Sequence, residues 1–126
     1  MKPTHLHPPG RCRMIDEVLS LIGDKWSIYV VVMLGQGKRR FSELKREVDG
    51  ISQKMLTVTL RGLERDGYVT RTAYATIPPR VEYELTELGQ DLLVPVRALG
   101  DWANRNESRV VGARIRYDAR RAQAAE

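Results

Sequence analysis

Three observations predict a mainly α-helical chain with a small β-hairpin, arranged as a winged helix-turn-helix with helices flanking it. Two short helical segments, residues 41–48 and 53–66, are separated by the turn dipeptide Asp49-Gly50. Two strand-like runs, residues 68–74 and 81–85, follow at once and are joined by a loop carrying Pro78 and Pro79. Apolar residues at helical spacing lie on both sides of this block.

The composition sets the frame. A chain of 126 residues is one domain by the usual relation, with room for one modest core. Apolar residues make up 42% and charged residues 29%, the balance of an ordinary globular chain. Twenty-one basic against 16 acidic side chains leave a net charge of +5, which favours an anionic partner, either nucleic acid or a membrane surface. No apolar run approaches a membrane span, and residues 1–10 lack the apolar centre of a signal peptide. A single cysteine, Cys12, excludes an internal disulfide, and a cytoplasmic location is expected.

Residues 1–11 hold three of the six prolines, a glycine and both histidines, so a mobile arm is expected. His5 and His7 without a second ligand cluster do not make a metal site, and no cofactor is expected. Ile15, Val18, Leu19 and Ile22 then repeat as one face of a first helix, stopped at Gly23. Asp24 is placed to cap a second helix over residues 25–34, whose run of Ile28 and Val30 to Leu34 predicts burial on most sides. The same β-branched run suits a strand, but its length and cap favour helix. Gly35-Gln36-Gly37 is a turn, and Lys38-Arg39-Arg40 is expected as a loop that either meets phosphate or is simply solvated.

The helix pair carries the functional argument. Ser52 stands at the N-cap of its second helix, and Gly67 supplies the left-handed stop. Leu56, Leu60 and Leu63 form a core stripe with Thr59 beside them. Gln53 and Lys54 lie in the first turn, and Lys54, Thr57, Val58, Arg61 and Arg65 share the opposite face. A helix-turn-helix presents such a donor-rich surface to the DNA major groove, its N-terminal residues nearest the base edges. Glutamine pairs with adenine, and lysine or arginine with guanine. An amphipathic helix with a solvated basic face fits the same pattern.

Beyond the hairpin, Arg80 sits near its tip, where it either reaches an adjacent groove or phosphate or is an exposed loop charge. Thr86 can cap a last long helix, with Glu87 in its first turn. Leu88, Leu92, Val96, Leu99 and Trp102 form its stripe, and Pro95 is expected to kink it. The tail from residue 104 is helix-permissive and arginine-rich, with too few apolar residues for a core. Val110, Val111, Ile115 and Tyr117 suit contacts to a partner chain or no contact at all. The chain lacks a glycine-rich phosphate loop and a Ser/His/Asp set, so an enzyme is not expected.

Cys12 is flanked by Arg11 and Arg13 at the start of the first helix, features that lower a thiol pKa. With no second cysteine, oxidation leads to a bridge to a partner's Cys12, a mixed disulfide or a sulfenic acid. A spectator cysteine in a packed segment is the competing reading.

Together these residues resemble the HxlR family of winged-helix transcription regulators, related to the MarR group. The resemblance rests on Cys12; on Gly23-Asp24-Lys25-Trp26; on Arg40-Phe41-Ser42-Glu43-Leu44; and on Gly50-Ile51-Ser52-Gln53-Lys54-Met55-Leu56. It continues through Leu63-Glu64-Arg65-Asp66-Gly67-Tyr68-Val69 with Arg71, Pro79-Arg80-Val81-Glu82-Tyr83-Glu84-Leu85-Thr86 with Gly89, and Trp102. Departures are local: Arg13 stands where the family commonly has proline, Gly23-Asp24 where Gly-Gly or Gly-Gly-Lys spacing is common, and the tail after Asn104 is longer and more basic than usual.

The resemblance implies a homodimer, with the first and last helices as dimerisation helices, bound to double-stranded DNA at a near-palindromic operator. It also implies that the cysteine near the first helix answers an electrophile or oxidant. The expected division is an arm over residues 1–11, a DNA-binding domain with its dimerisation helices over 12–103, and a basic tail over 104–126. The expected DNA-binding set is Arg39, Arg40, Ser52, Gln53, Lys54, Thr57, Arg61 and Arg80, with Cys12 as the redox-sensing residue. The rivals are a winged-helix module that binds protein or RNA, and a tail helix lying on a membrane surface, which the scarcity of bulky apolar residues disfavours.

Overall fold

The structure, a computed structural model, describes residues 11–125, with side chains from residue 13 onward. The arm with His5 and His7 lies outside the described residues, as does the Cys12 side chain. The elements run α1 (Arg11–Gly23), α2 (Lys25–Leu34), β1 (Arg39–Arg40), α3 (Phe41–Glu47), α4 (Gln53–Arg65), β2 (Val69–Tyr74), β3 (Arg80–Leu85) and α5 (Glu87–Ala125). They form two units, one ending at Leu93 and one beginning at Val94.

Side-chain caps fix the helix starts in the first unit. Asp24 accepts the Trp26 N–H at 3.1 Å and the Ser27 hydroxyl at 2.9 Å, which explains why Ser27 is buried without cost. Val30, Val31 and Leu34 of α2 are buried, so the β-branched run is a core helix and not a strand. Trp26, Ile28, Val32 and Met33 are half buried, so the helix is covered on most sides, with an opening at Tyr29, which lies half exposed and edge-on to Trp26 at 6.2 Å between ring centroids. Leu44, Val48, Ile51, Leu56, Leu60, Leu63 and Leu93 complete a continuous apolar centre. Each fully buried leucine there contributes about 1.5–3 kcal/mol relative to exposure.

The sheet differs from the expected hairpin by one strand. Its order is β1-β3-β2, all antiparallel. Arg39 and Arg40, expected in a loop, pair with Tyr83 and Glu82 along the outer edge of β3. Two residues are too few to leave an alternating pattern; only β3's unpaired edge makes them a strand.

At its start, α5 is tied back to the winged domain. Thr86 accepts the Gly89 N–H at 3.1 Å and donates its own hydroxyl to the Gly67 carbonyl at 2.6 Å. A Cβ on Gly89 would collide with the Tyr68 carbonyl, so the helix can pack this closely only without a side chain there. Leu92 and Leu93 are buried in this stretch, while Leu88 is half exposed. In the second unit the helix continues through Pro95 to Ala125, so the helix-permissive tail is helical. Of the expected α5 stripe, Leu92 and Val96 are buried, whereas Leu88, Leu99 and Trp102 are exposed. The α1 stripe is also only partly covered: Val18 and Ile22 are half buried, Ile15 and Leu19 exposed. No helix among the described residues is long and apolar enough to cross a membrane.

Candidate nucleic-acid interface

α3 and α4 form the helix-turn-helix. The Arg40 N–H donates to Glu43 Oε1 at 2.8 Å, fastening the first turn of α3. Gly50 turns the chain with φ +85°, a left-handed value that a side chain would strain. Ser52 then accepts the Met55 N–H at 3.0 Å and caps α4. At the far end Gly67, at φ +84°, passes the chain to β2. Both glycines therefore do what the sequence predicts.

α4 has two chemically distinct sides. Leu56, Thr59, Leu60 and Leu63 are buried. Gln53, Lys54, Val58, Arg61 and Arg65 are exposed, and Thr57 lies between the two sides. The Thr57 hydroxyl donates to the Gln53 carbonyl at 2.9 Å, which leaves its methyl and one lone pair outward. Lys54 and Arg61 have no hydrogen bond or ion pair to any described residue. Their charge is therefore available to a partner.

The other expected cations differ in availability. Arg40 is exposed and its guanidinium is unpaired among the described residues. Arg39 is not free: its Nε donates to Glu47 at 3.0 and 3.3 Å, and its Nη1 to the Gly37 and Lys38 carbonyls, both at 3.1 Å. It serves to hold the turn between α2 and α3. Arg80 opposes Tyr74 as the last strand pair before the hairpin loop. Its guanidinium lies 4.2 Å from the centre of the Tyr74 ring, and Nε is 3.4 Å from Glu82. Cys12 lies in the first turn of α1, and its thiol is outside the described atoms.

One cation at this surface escaped the sequence reading as a site residue. Arg71 of β2 is directly opposite Tyr83 of β3, as Val69 is opposite Leu85. Residues two apart on a strand share a face, so Arg71 lies on the side that buries Val69 and Leu85. A half-open cavity of about 330 Å³ separates that side from α4, lined by Phe41, Thr57, Leu60, Arg61, Glu64, Arg71 and Tyr83. The signal was a cation in step with Val69 along the strand, muted because its neighbours Thr70 and Thr72 are polar as well.

Residues 21–111 match the HxlR-like helix-turn-helix family. The HTH-type transcriptional regulator YtfH of Escherichia coli (strain K12) is 43% identical over 98 residues, covering 78% of each chain. The solved structure of the putative transcriptional regulator ytfH from Salmonella typhimurium is 41% identical with a TM-score of 0.71, covering 79% of this chain and 88% of that one. The redox regulator HypR in its oxidized form is 41% identical with a TM-score of 0.67, covering 73% of this chain and 95% of its own. The chain thus belongs to the HxlR family of transcriptional regulators, carries their winged helix-turn-helix DNA-binding fold, and is a regulator and not an enzyme.

Proposed function

We propose that the protein is a cytoplasmic repressor that binds a near-palindromic operator in double-stranded DNA as a homodimer. One observation carries this reading: α4 is held by its Ser52 cap and four buried side chains, while its opposite side offers exposed polar groups, Lys54 and Arg61 without a partner among the described residues. Gln53, Lys54 and Thr57, nearest the helix N-terminus, face the base edges, with Arg61 further along the same side. Arg40 and the Ser52 hydroxyl are placed for phosphate, and Arg80 flanks the loop of the wing. One winged-helix module offers limited area, so two half-sites read by a dimer account for tight binding. Exposed Met14, Ile15 and Leu19 on α1, and exposed Leu99, Trp102 and Val110 on α5, support helix-mediated pairing of two copies.

The signal in this reading is a thiol-reactive or oxidising agent acting at Cys12. Its support is the position of Cys12 in the first turn of α1, beside Arg11 and Arg13, and the likeness to a regulator named for redox response. The experiment is selection of bound duplexes from a random pool, followed by binding before and after diamide. Recovery of a two-fold-symmetric sequence, released by diamide from the parent but not from Cys12→Ser, is the expected result. A pool that yields no preferred sequence overturns the operator reading, and diamide-insensitive binding by the parent overturns the switch.

A further inference from the structure

We propose that Arg61 of α4 and Arg71 of β2 together clamp a single phosphate of the DNA backbone in the cavity between the helix and the sheet. The inference rests on the DNA-binding reading above and deepens it by assigning Arg71 a role and moving Arg61 from the base edges to the backbone.

A row of three side chains crosses the sheet. Arg39, Tyr83 and Arg71 are successive cross-strand partners and so lie on one face. The two arginines at its ends are in opposite circumstances. Arg39 is satisfied by Glu47 at 3.0 Å and by two carbonyls. Arg71 has no hydrogen bond and no ion pair to any described residue. Arg71 is exposed, so the five donors of its guanidinium stand open to solvent and to an anion. Across the cavity stands Arg61, equally unpartnered, from a different element.

Tyr83 also lines the cavity, and its hydroxyl is a further donor. Tyr83 is 8% exposed, yet among the described residues its hydroxyl has no hydrogen-bond partner, and it is not sealed off from solvent. Glu64 also lines the space and pairs with neither arginine. Two cations and one carboxylate leave a charge of +1, which matches the single negative charge of a phosphodiester. Planar guanidinium groups suit phosphate oxygens because each can donate two parallel bonds. Along α4 the cavity spans Thr57 to Glu64, and Arg61 and Glu64 lie beyond the first two turns, whose residues are nearest the base edges in a groove-bound helix.

The test uses the full chain, a duplex selected by it from a random pool, and an unrelated duplex of equal length. Neutralising one phosphate changes the slope of log K against log salt by about 0.9, or about eightfold in affinity near 0.1 M salt. Arg61→Gln and Arg71→Gln are expected to weaken both duplexes by the same factor and leave base preferences untouched. The double variant is expected to lose about 0.9 in slope in total, because both side chains serve one phosphate. Arg71→Lys is expected to retain most of the slope, and Glu64→Gln to tighten both duplexes. Unchanged melting temperatures separate these effects from misfolding.

Three results overturn the clamp: a slope unaffected by Arg71→Gln, a double-variant loss near 1.8, or a relaxed preference at one base position in Arg61→Gln. Inorganic phosphate that raises the melting temperature of the parent but not of the double variant, with equal DNA slopes, assigns the cavity to a free anion instead. A parent chain that prefers no sequence overturns the operator reading, while the slopes still decide the clamp.

Discussion

Arg39 and Arg61 carry the same charge and stand on the same helix-turn-helix block, yet the fold treats them differently. Arg39 spends its guanidinium on Glu47 and the carbonyls of the preceding turn. Arg61 projects from α4 beside a cavity and has no partner among the described residues. Arg80 and Arg71 repeat the contrast on the sheet: one stacks on Tyr74 and meets Glu82, the other is unpaired among the described residues. A cation serves the fold where an acid or a carbonyl lies within reach, and is available to a polyanion where none does. The basic run Lys38-Arg39-Arg40 therefore does not act as one patch, since Lys38 and Arg39 both have acidic neighbours, whereas Arg40 is unpaired among the described residues.

The comparison depends on a rigid α4, and the largest expected effect comes from loosening it. Leu60 is 2% exposed, so Leu60→Ala is expected to cost about 2–5 kcal/mol in urea unfolding. Val58→Ala, on the exposed side of the same helix, is expected to stay within about 0.5 kcal/mol. Equal costs at the two positions would mean that the helix is rotated from its described placement. Gly89→Ala comes next. The added Cβ meets the Tyr68 carbonyl and Leu85, and a loss of about 1–3 kcal/mol is expected. An unchanged midpoint would show that the start of α5 is not seated as described.

The paired arginines sharpen the contrast at smaller scale. Arg39→Ala is expected to lower stability by about 1 kcal/mol while changing the salt slope of DNA binding little. Arg80→Ala removes the stacking on Tyr74 and is expected to cost about 0.5–1 kcal/mol. If Arg39→Ala flattens the salt slope as much as Arg61→Gln does, its pairing with Glu47 does not persist on DNA and the division into spent and available cations fails.

Local signals made much of this arrangement legible in the sequence. Asp24, Ser52 and Thr86 cap helices where short polar side chains precede apolar periodicity, and Gly50 and Gly67 adopt positive φ where the chain must turn. Those signals act within four residues, so no tertiary knowledge is needed to read them. What escaped depends on distant partners. β1 exists only because β3 offers an edge, and Arg71 is notable only once its register with Tyr83 is known. The engagement of Arg39 needs Glu47, eight residues away across a turn. Leu93 is buried although the periodic stripe passes through Leu92, whereas Leu88, Leu99 and Trp102 on that stripe are exposed. Periodicity marks an apolar face without saying how much of it the chain itself covers.

The central claim is that the N-terminal side of α4 reads bases. The most direct measurement is the affinity of the parent and of Lys54→Ala for the selected duplex and for every single-base change in one half-site. The account predicts that the parent discriminates at one position by about 1–3 kcal/mol and that Lys54→Ala loses preference there while keeping it elsewhere. A profile that Lys54→Ala lowers uniformly, with every preference intact, would make Lys54 a backbone contact and contradict the claim.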